Sequence, residues 1–246
     1  MFSLMQWQGT GIVVGVRTYG DTRVILSVFT EDRGLQRGLA KLDKRKVQVW
    51  DFVSVTWRAR LQSNLGFFCN CEIVSSYFHT YFQDRIKMMC ISSLALVVNE
   101  ALPQNDPHPI LYARLEEFTK VINGSDWQVK YLKVELELLA QLGFALDLSR
   151  CAVNDSTDEL LFISPKTGKA ISKAAAAGYE DKLFPLPEIL SNLSCGNRHV
   201  DSCSVEEFNI GIKILGFFLH RYLLTGNRNF LEYRRMMVKM SKSYSA

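Results

Sequence analysis

With 246 residues, 48% of them hydrophobic and 22% charged, the chain has the material for one large domain or two modest ones, which excludes a disordered chain and a disulfide-dependent miniprotein. The formal net charge of +4 is uneven: residues 1–60 carry +5, residues 213–246 carry +6, and the stretch between them carries −7. Two basic ends around an acidic middle predict one positive face instead of a uniformly basic surface.

No basic segment precedes the apolar residues of the opening MFSLMQWQGTG, so a targeting segment is not expected there. The most apolar stretch, Ile210 to Leu224, contains Lys213, His220 and Arg221 and is too short to span a bilayer. A soluble intracellular protein is expected, in which the sequons at Asn123, Asn154 and Asn192 carry no meaning. The six cysteines are scattered and are expected as reduced thiols.

The first eighty residues read as β. Ile12, Val14 and Val16 alternate with Val13, Gly15 and Arg17, and Tyr19-Gly20-Asp21 signals a turn before the β-branched run Thr22 to Thr30. Gly34 to Leu39, Phe52 to Arg60 and Phe67 to Tyr77 complete five short strands. In the last of these, Cys69 and Cys71 share a face with Phe67 and Ile73, which predicts a buried side. Five strands with glycine-marked turns fit a small closed barrel of the oligonucleotide-binding (OB) kind, although pattern alone also fits an open sandwich.

From about Asp84 the period becomes helical, with Ile86, Met89, Cys90, Ser93, Leu94, Val97 and Ala101 on one face as far as Pro103. A second helix is predicted from about Pro107 to Asn123-Gly124. A third, capped by Ser125 or Asp126, carries a wide leucine stripe up to Gly143. Residues 144–185 read as irregular, with a short hairpin at Leu160 to Ile171. Val205 to Leu224 reads as a long buried helix, and Thr225 to Lys242 as a basic segment of open form. The expected class is α+β, divided into a barrel domain at 1–80 and a helical domain at 81–246.

Catalytic patterns are missing. GTGIVVG at Gly9 to Gly15 has the wrong spacing for a dinucleotide loop and runs into strand, and Gly168-Lys169 lacks the rest of a phosphate loop. His79, His108, His199 and His220 have no metal-type spacing, and no serine or cysteine lies on a nucleophile elbow. The chain is therefore expected to bind and not to catalyse. The string GLQRGLAKLDKRK (Gly34 to Lys46) sets Arg37, Lys41, Lys44, Arg45 and Lys46 against a single acid, Asp43, a density suited to a phosphate backbone. Further cations stand at Arg17, Arg23, Arg33, Arg58 and Arg60, interleaved with Tyr19, Phe29, Trp50 and Trp57, as a single-strand surface requires. Against this, Phe29 and Trp57 are equally suited to filling a barrel.

The chain also resembles a known family. Trp7-x-Gly9-x-Gly11-Ile12-Val13-Val14, Arg17-x-Tyr19-Gly20-Asp21, Val28-Phe29-Thr30-Glu31-x-x-Gly34-Leu35 and Gly38-Leu39-Ala40-Lys41 are similar to the start of the bacterial RecO DNA repair proteins. Glu135-Leu136-Glu137-Leu138-Leu139-x-x-Leu142-Gly143-Phe144, Leu148-x-x-Cys151, and Leu223-Leu224 before a basic stretch with Arg228 and Arg234-Arg235 resemble its later parts. The resemblance implies an OB barrel followed by a helical domain and a recombination mediator in the cytoplasm, at the nucleoid. Such a mediator binds single- and double-stranded DNA, anneals complementary strands, acts on strands coated by single-stranded-DNA-binding protein, and helps RecR load RecA. Many members carry a four-cysteine zinc module in the region of residues 144–185. Here only Cys151 stands in place, with Asn154, Ser172 and Ala175 at about the other positions, so zinc is not expected. The expected DNA contacts are Arg33, Arg37, Lys41, Lys44, Arg45, Lys46, Arg58 and Arg60, with Arg234 and Arg235 at the far end. A protein–protein adaptor dominated by its helical half is the alternative, and an enzyme using the barrel to deliver substrate is a third.

Overall fold

The computed structural model describes residues 5–41, 47–60, 65–194, 200 and 202–242. The chain forms two compact units, Met1–Ala113 and Arg114–Ala246.

In the first unit, β1 (Met5–Tyr19), β2 (Arg23–Thr30), β3 (Gly34–Ala40), β4 (Phe52–Ala59) and β5 (Gly66–Ser75) close into a barrel in the order β1-β2-β3-β5-β4. Every pairing is antiparallel except β3 with β5. Closure is what separates this arrangement from an open sandwich. Alternation along the strands sends Val13, Val24, Leu26, Val28, Ala40, Val53, Val55, Trp57 and Phe68 into one buried cluster. Gly34 opens β3 at φ +64°, and a Cβ there would lie 1.9 Å from the backbone oxygen of Asp106. Glycine therefore lets the 104–107 segment close over the β2–β3 turn, where the Asn105 N–H donates to Leu35 O at 3.1 Å.

The face expected to be buried on β5 is split. Phe67 is 48% exposed, Cys69 and Ile73 are exposed and Cys71 is half-buried, while Phe68 fills the core. Register supplies the reason. The ladder with β4 skips Cys69 between Phe68 and Asn70, and this bulge reverses the phase, so that Phe68 and then Cys71 face inward.

After β5 come α1 (Phe78–Tyr81) and α2 (Arg85–Ala101), the latter capped by the Asp84 carboxylate, which accepts from Ile86 N at 3.1 Å and Lys87 N at 3.3 Å. Helix α2 packs on β1 and β2. The change from strand to helix falls near residue 80, but this packing carries the first compact unit on to Ala113.

Helix α3 (Pro109–Val121) runs across the division between the units. The second unit contains α4 (Trp127–Gln141), β6 (Asp147–Cys151), β7 (Leu160–Ile163), β8 (Lys169–Ser172), α5 (Lys173–Ala176), a 3-10 turn at Glu180–Lys182, β9 (Phe184–Pro185), α6 (Glu188–Ser194), α7 (Val205–Tyr222) and α8 (Arg228–Lys242). Ser204 and Glu207 form a reciprocal capping box at the start of α7. Residues 144–185 are more ordered than expected: β6-β8-β7-β9 make a four-stranded sheet around the anticipated β7–β8 hairpin. The segment of open form is helix α8, whose Phe230, Arg234, Met237 and Ser241 follow one buried stripe. Burying the apolar members, Phe230 and Met237, contributes roughly 1.5–3 kcal/mol each.

Candidate nucleic-acid interface

Register builds a continuous outer row across the barrel. Arg17 pairs with Ile25, Ile25 with Leu39, Leu39 with Phe67, Phe67 with Arg58, and Arg58 with Gln6. All six point outward, since their strand neighbours Val24, Ala40, Phe68 and Trp57 point into the core. One row further along, Tyr19 pairs with Arg23, and Lys41 follows directly on Ala40, the partner of Val24. Arg17, Arg23 and Lys41 thus stand on the adjacent strands β1, β2 and β3 or at their ends with the exposed ring of Tyr19, and Arg58 on β4 stands beside the exposed ring of Phe67 on β5. The Arg58 Nε donates to Gln6 Oε1, its neighbour in the row, at 2.7 Å. Arg60 is exposed just past the end of β4. None of these five cations forms an ion pair among the described residues.

The other expected contacts are placed differently. Arg37 is half-buried and donates to the carbonyl of Asn99 in the last turn of α2, where the helix dipole is negative. That helix end covers the outer side of Gly15 and Ser27, in line with Arg37, and so diverts the side chain into a cap. Arg33, in the β2–β3 turn, lies 5.4 Å over the Trp7 ring, and its Nε is 3.8 Å from the Asp32 carboxylate. Lys44, Arg45 and Lys46 lie outside the described residues. Of the interleaved aromatics, Phe29, Trp50 and Trp57 are buried, and Trp57 stacks with Trp7 at 6.0 Å. Phe67 went unrecognised as a surface ring because strand alternation read from sequence has no knowledge of a bulge.

In the second unit Arg234 is buried. Its Nη1 donates to Glu135 Oε2 at 3.0 Å and to Ile212 O at 3.4 Å, its Nη2 donates to Glu135 Oε1, and its guanidinium lies 4.7 Å from the Phe230 ring centre. Glu135 is fully buried. This bidentate pair ties α8 to α4 and leaves no guanidinium free for phosphate. Arg235, by contrast, is exposed, with Glu232 3.8 Å away. It lines a groove of about 650 Å³ between α7 and α8, floored by Ile212, Phe217, Leu231 and Val238 and rimmed by Lys213, Arg235 and Lys239. The buried Nε2 of His220, also in the lining, has no hydrogen-bond partner among the described residues.

Around Cys151 the side chains are a thiol, an amide and a hydroxyl. The N–H groups of Ser172 (3.3 Å) and Val153 (3.5 Å) donate to Sγ, and the Asn154 amide donates to Ser172 Oγ at 3.3 Å. Ala175 offers only its backbone N–H, also to Ser172 Oγ. Such a set does not fit a tetrahedral zinc ion, and no group of three or more His, Cys, Asp or Glu among the described residues could share a metal. Burial opposes ionisation of Cys151, but hydrogen bonds from Ser172, Asn154 and Val153 outweigh it and lower the thiol from 9.0 to about 7. A thiol whose folded pKa is depressed adds stability above its unfolded pKa and loses that contribution as pH falls through the folded value. The stability advantage of the native chain over Cys151→Ser should therefore grow between about pH 7 and pH 9. Denaturation midpoints of both proteins across that range are the check, and a flat difference would contradict it.

Residues 5–77 match the family model for the recombination protein O N terminal region, and residues 82–229 match that for the C terminal region. The chain belongs to the RecO family. Among its relatives, the DNA repair protein RecO of Anaplasma phagocytophilum is 52% identical over 239 residues, covering 96% of this chain and 97% of the relative. RecO of Anaplasma marginale (strain Florida) is 50% identical over 235 residues, covering 95% and 98%. The more distant RecO of Cereibacter sphaeroides is 33% identical over 244 residues, covering 96% and 98%. RecO membership brings with it a general role in DNA repair and recombination. Among the described residues, no helix is long and apolar enough to cross a membrane.

Proposed function

We propose that this RecO-family chain is a non-catalytic recombination mediator of the cytoplasm and nucleoid. It binds single- and double-stranded DNA, anneals complementary strands, and helps RecR load RecA on strands coated by single-stranded-DNA-binding protein. The observation that carries the reading is the outer barrel surface, where Arg17, Arg23 and Lys41 stand on adjacent strands or at their ends without carboxylate partners among the described residues. The basic run Lys44-Arg45-Lys46 follows Lys41 in sequence after Leu42 and Asp43. Each cation neutralises a phosphate by charge alone, so two strands can share the face with their mutual repulsion reduced. No bond needs to break in this work, and neither zinc nor any other cofactor is invoked; hydrogen bonds around Cys151 hold the loop that a metal would otherwise organise.

Lys44→Ala/Lys46→Ala with Arg45→Ala is the direct test. Three lost phosphate contacts should flatten the slope of log affinity against log salt by about 2 on single strands, with the melting temperature unchanged. Fluorescence anisotropy across a salt series reads the slope. An unaltered slope and affinity would remove the loop from the interface.

The α7–α8 groove favours a second reading, that of a protein adaptor. Its apolar floor and cationic rim suit an acidic, amphipathic segment of a protein partner. Binding to purified RecR or single-stranded-DNA-binding protein that survives nuclease treatment supports the adaptor; loss of binding on digestion rejects it.

A further inference from the structure

Phe67 is out of place for a purely structural strand residue. Its neighbour Phe68 fills the barrel, whereas Phe67 is 48% exposed on the outer face. Keeping apolar area in water forgoes the gain from burying it. Its row contains two further apolar side chains, Leu39 and Ile25, both half-buried. Around the closed barrel the row continues from Phe67 to Arg58, one strand away at about 5 Å, and in the other direction through Leu39 and Ile25 to Arg17, three strands away. A second exposed ring, Tyr19 at 53%, stands beside Arg23 in the adjoining row, about 7 Å along the strands.

An exposed ring with an apolar neighbour on one side and a guanidinium on the other suits a ligand with flat apolar faces and a regularly charged edge. Unpaired nucleotides have that form: a base stacks on a ring while its phosphate meets a neighbouring cation. A duplex does not, because its base faces are covered by their neighbours and only phosphates and groove edges reach the protein. We infer that Phe67, with Leu39 on one side and Arg58 on the other, is a base-stacking platform through which the barrel distinguishes single-stranded from double-stranded DNA. This rests on the DNA-binding reading above and deepens it.

The test uses the full chain with a single-stranded oligonucleotide carrying one 2-aminopurine and with a duplex of the same length. Phe67→Leu keeps the apolar cover and removes the ring. It should weaken single-strand binding by roughly fivefold or more, in line with the worth of one base–ring stack, and leave duplex binding within about twofold. Its salt slope should be unchanged, because no charge is lost. Arg58→Ala should weaken both forms and flatten both slopes by about one phosphate. With the native chain, 2-aminopurine fluorescence should be quenched on binding, and Phe67→Leu should relieve the quench. Equal losses on both forms, or none on either, would overturn the platform and leave the row as a protein-docking surface. If the native chain bound neither form, the DNA-binding reading itself would fail, a result distinct from failure of the platform.

Discussion

Arg234→Ala should destabilise the protein by about 3–5 kcal/mol, because it leaves the Glu135 carboxylate charged and buried with its partner gone. The guanidinium also contributes its bond to Ile212 O and its contact with the Phe230 ring, so α8 should loosen along with the pair. Replacing both partners by apolar residues, Glu135→Leu with Arg234→Met, should recover most of the loss, since neither charge then has to be desolvated. Chemical denaturation of the single and double variants reads the difference. A phosphate-binding arginine would behave in the opposite way: Arg234→Ala would keep its stability and flatten the salt slope of DNA binding. The neighbouring Arg235, exposed at the groove, can follow that second pattern. Two adjacent arginines in sequence thus have unlike roles in the structure.

The second large effect is at the β2–β3 turn. Gly34 and Gly20 share the same backbone angle, φ +64°, but differ in surroundings. A Cβ at Gly20 would meet nothing within 4 Å, whereas one at Gly34 would lie 1.9 Å from Asp106 O and 2.4 Å from Asp106 C. Gly20→Ala should therefore cost only the left-handed backbone term, about 1–2 kcal/mol. Gly34→Ala should cost about 2 kcal/mol more, because the 104–107 segment must retreat and give up Asn105 N–H to Leu35 O and Gln36 Nε2 to Asn105 Oδ1. Equal denaturation midpoints for the two variants would show that the contact carries no weight.

Much of the fold was legible before any coordinates. The strands of the barrel and the helices from α2 to α4 each obey one period over enough residues for the pattern to show. Gly20-Asp21, Pro103, Asn123-Gly124 and Gly143 then mark the breaks. The small sheet escaped notice because β9 has two residues and β6 joins β8 in parallel across a long loop, so neither shows alternation. Helix α8 escaped because its buried stripe includes Arg234, which reads as polar until Glu135 is seen to neutralise it.

The candidate interface was legible in kind but not in membership. Charge density and aromatic interleaving pointed to the barrel, and the structure leaves Lys41, Arg58 and Arg60 exposed there. Composition by itself determined that the chain has a core and two basic ends, and the spacing of apolar residues determined that strands precede helices. Which cations remain for a polyanion was decided only by tertiary structure, because a side chain's direction depends on what covers it. Helix α2 covers the row of Arg37 and draws that side chain onto a carbonyl. Glu135 arrives from ninety-nine residues away to bury Arg234. One skipped residue in the β4–β5 ladder turns Phe67 out to solvent. These outcomes depend on contacts between distant parts of the chain, which no local pattern encodes.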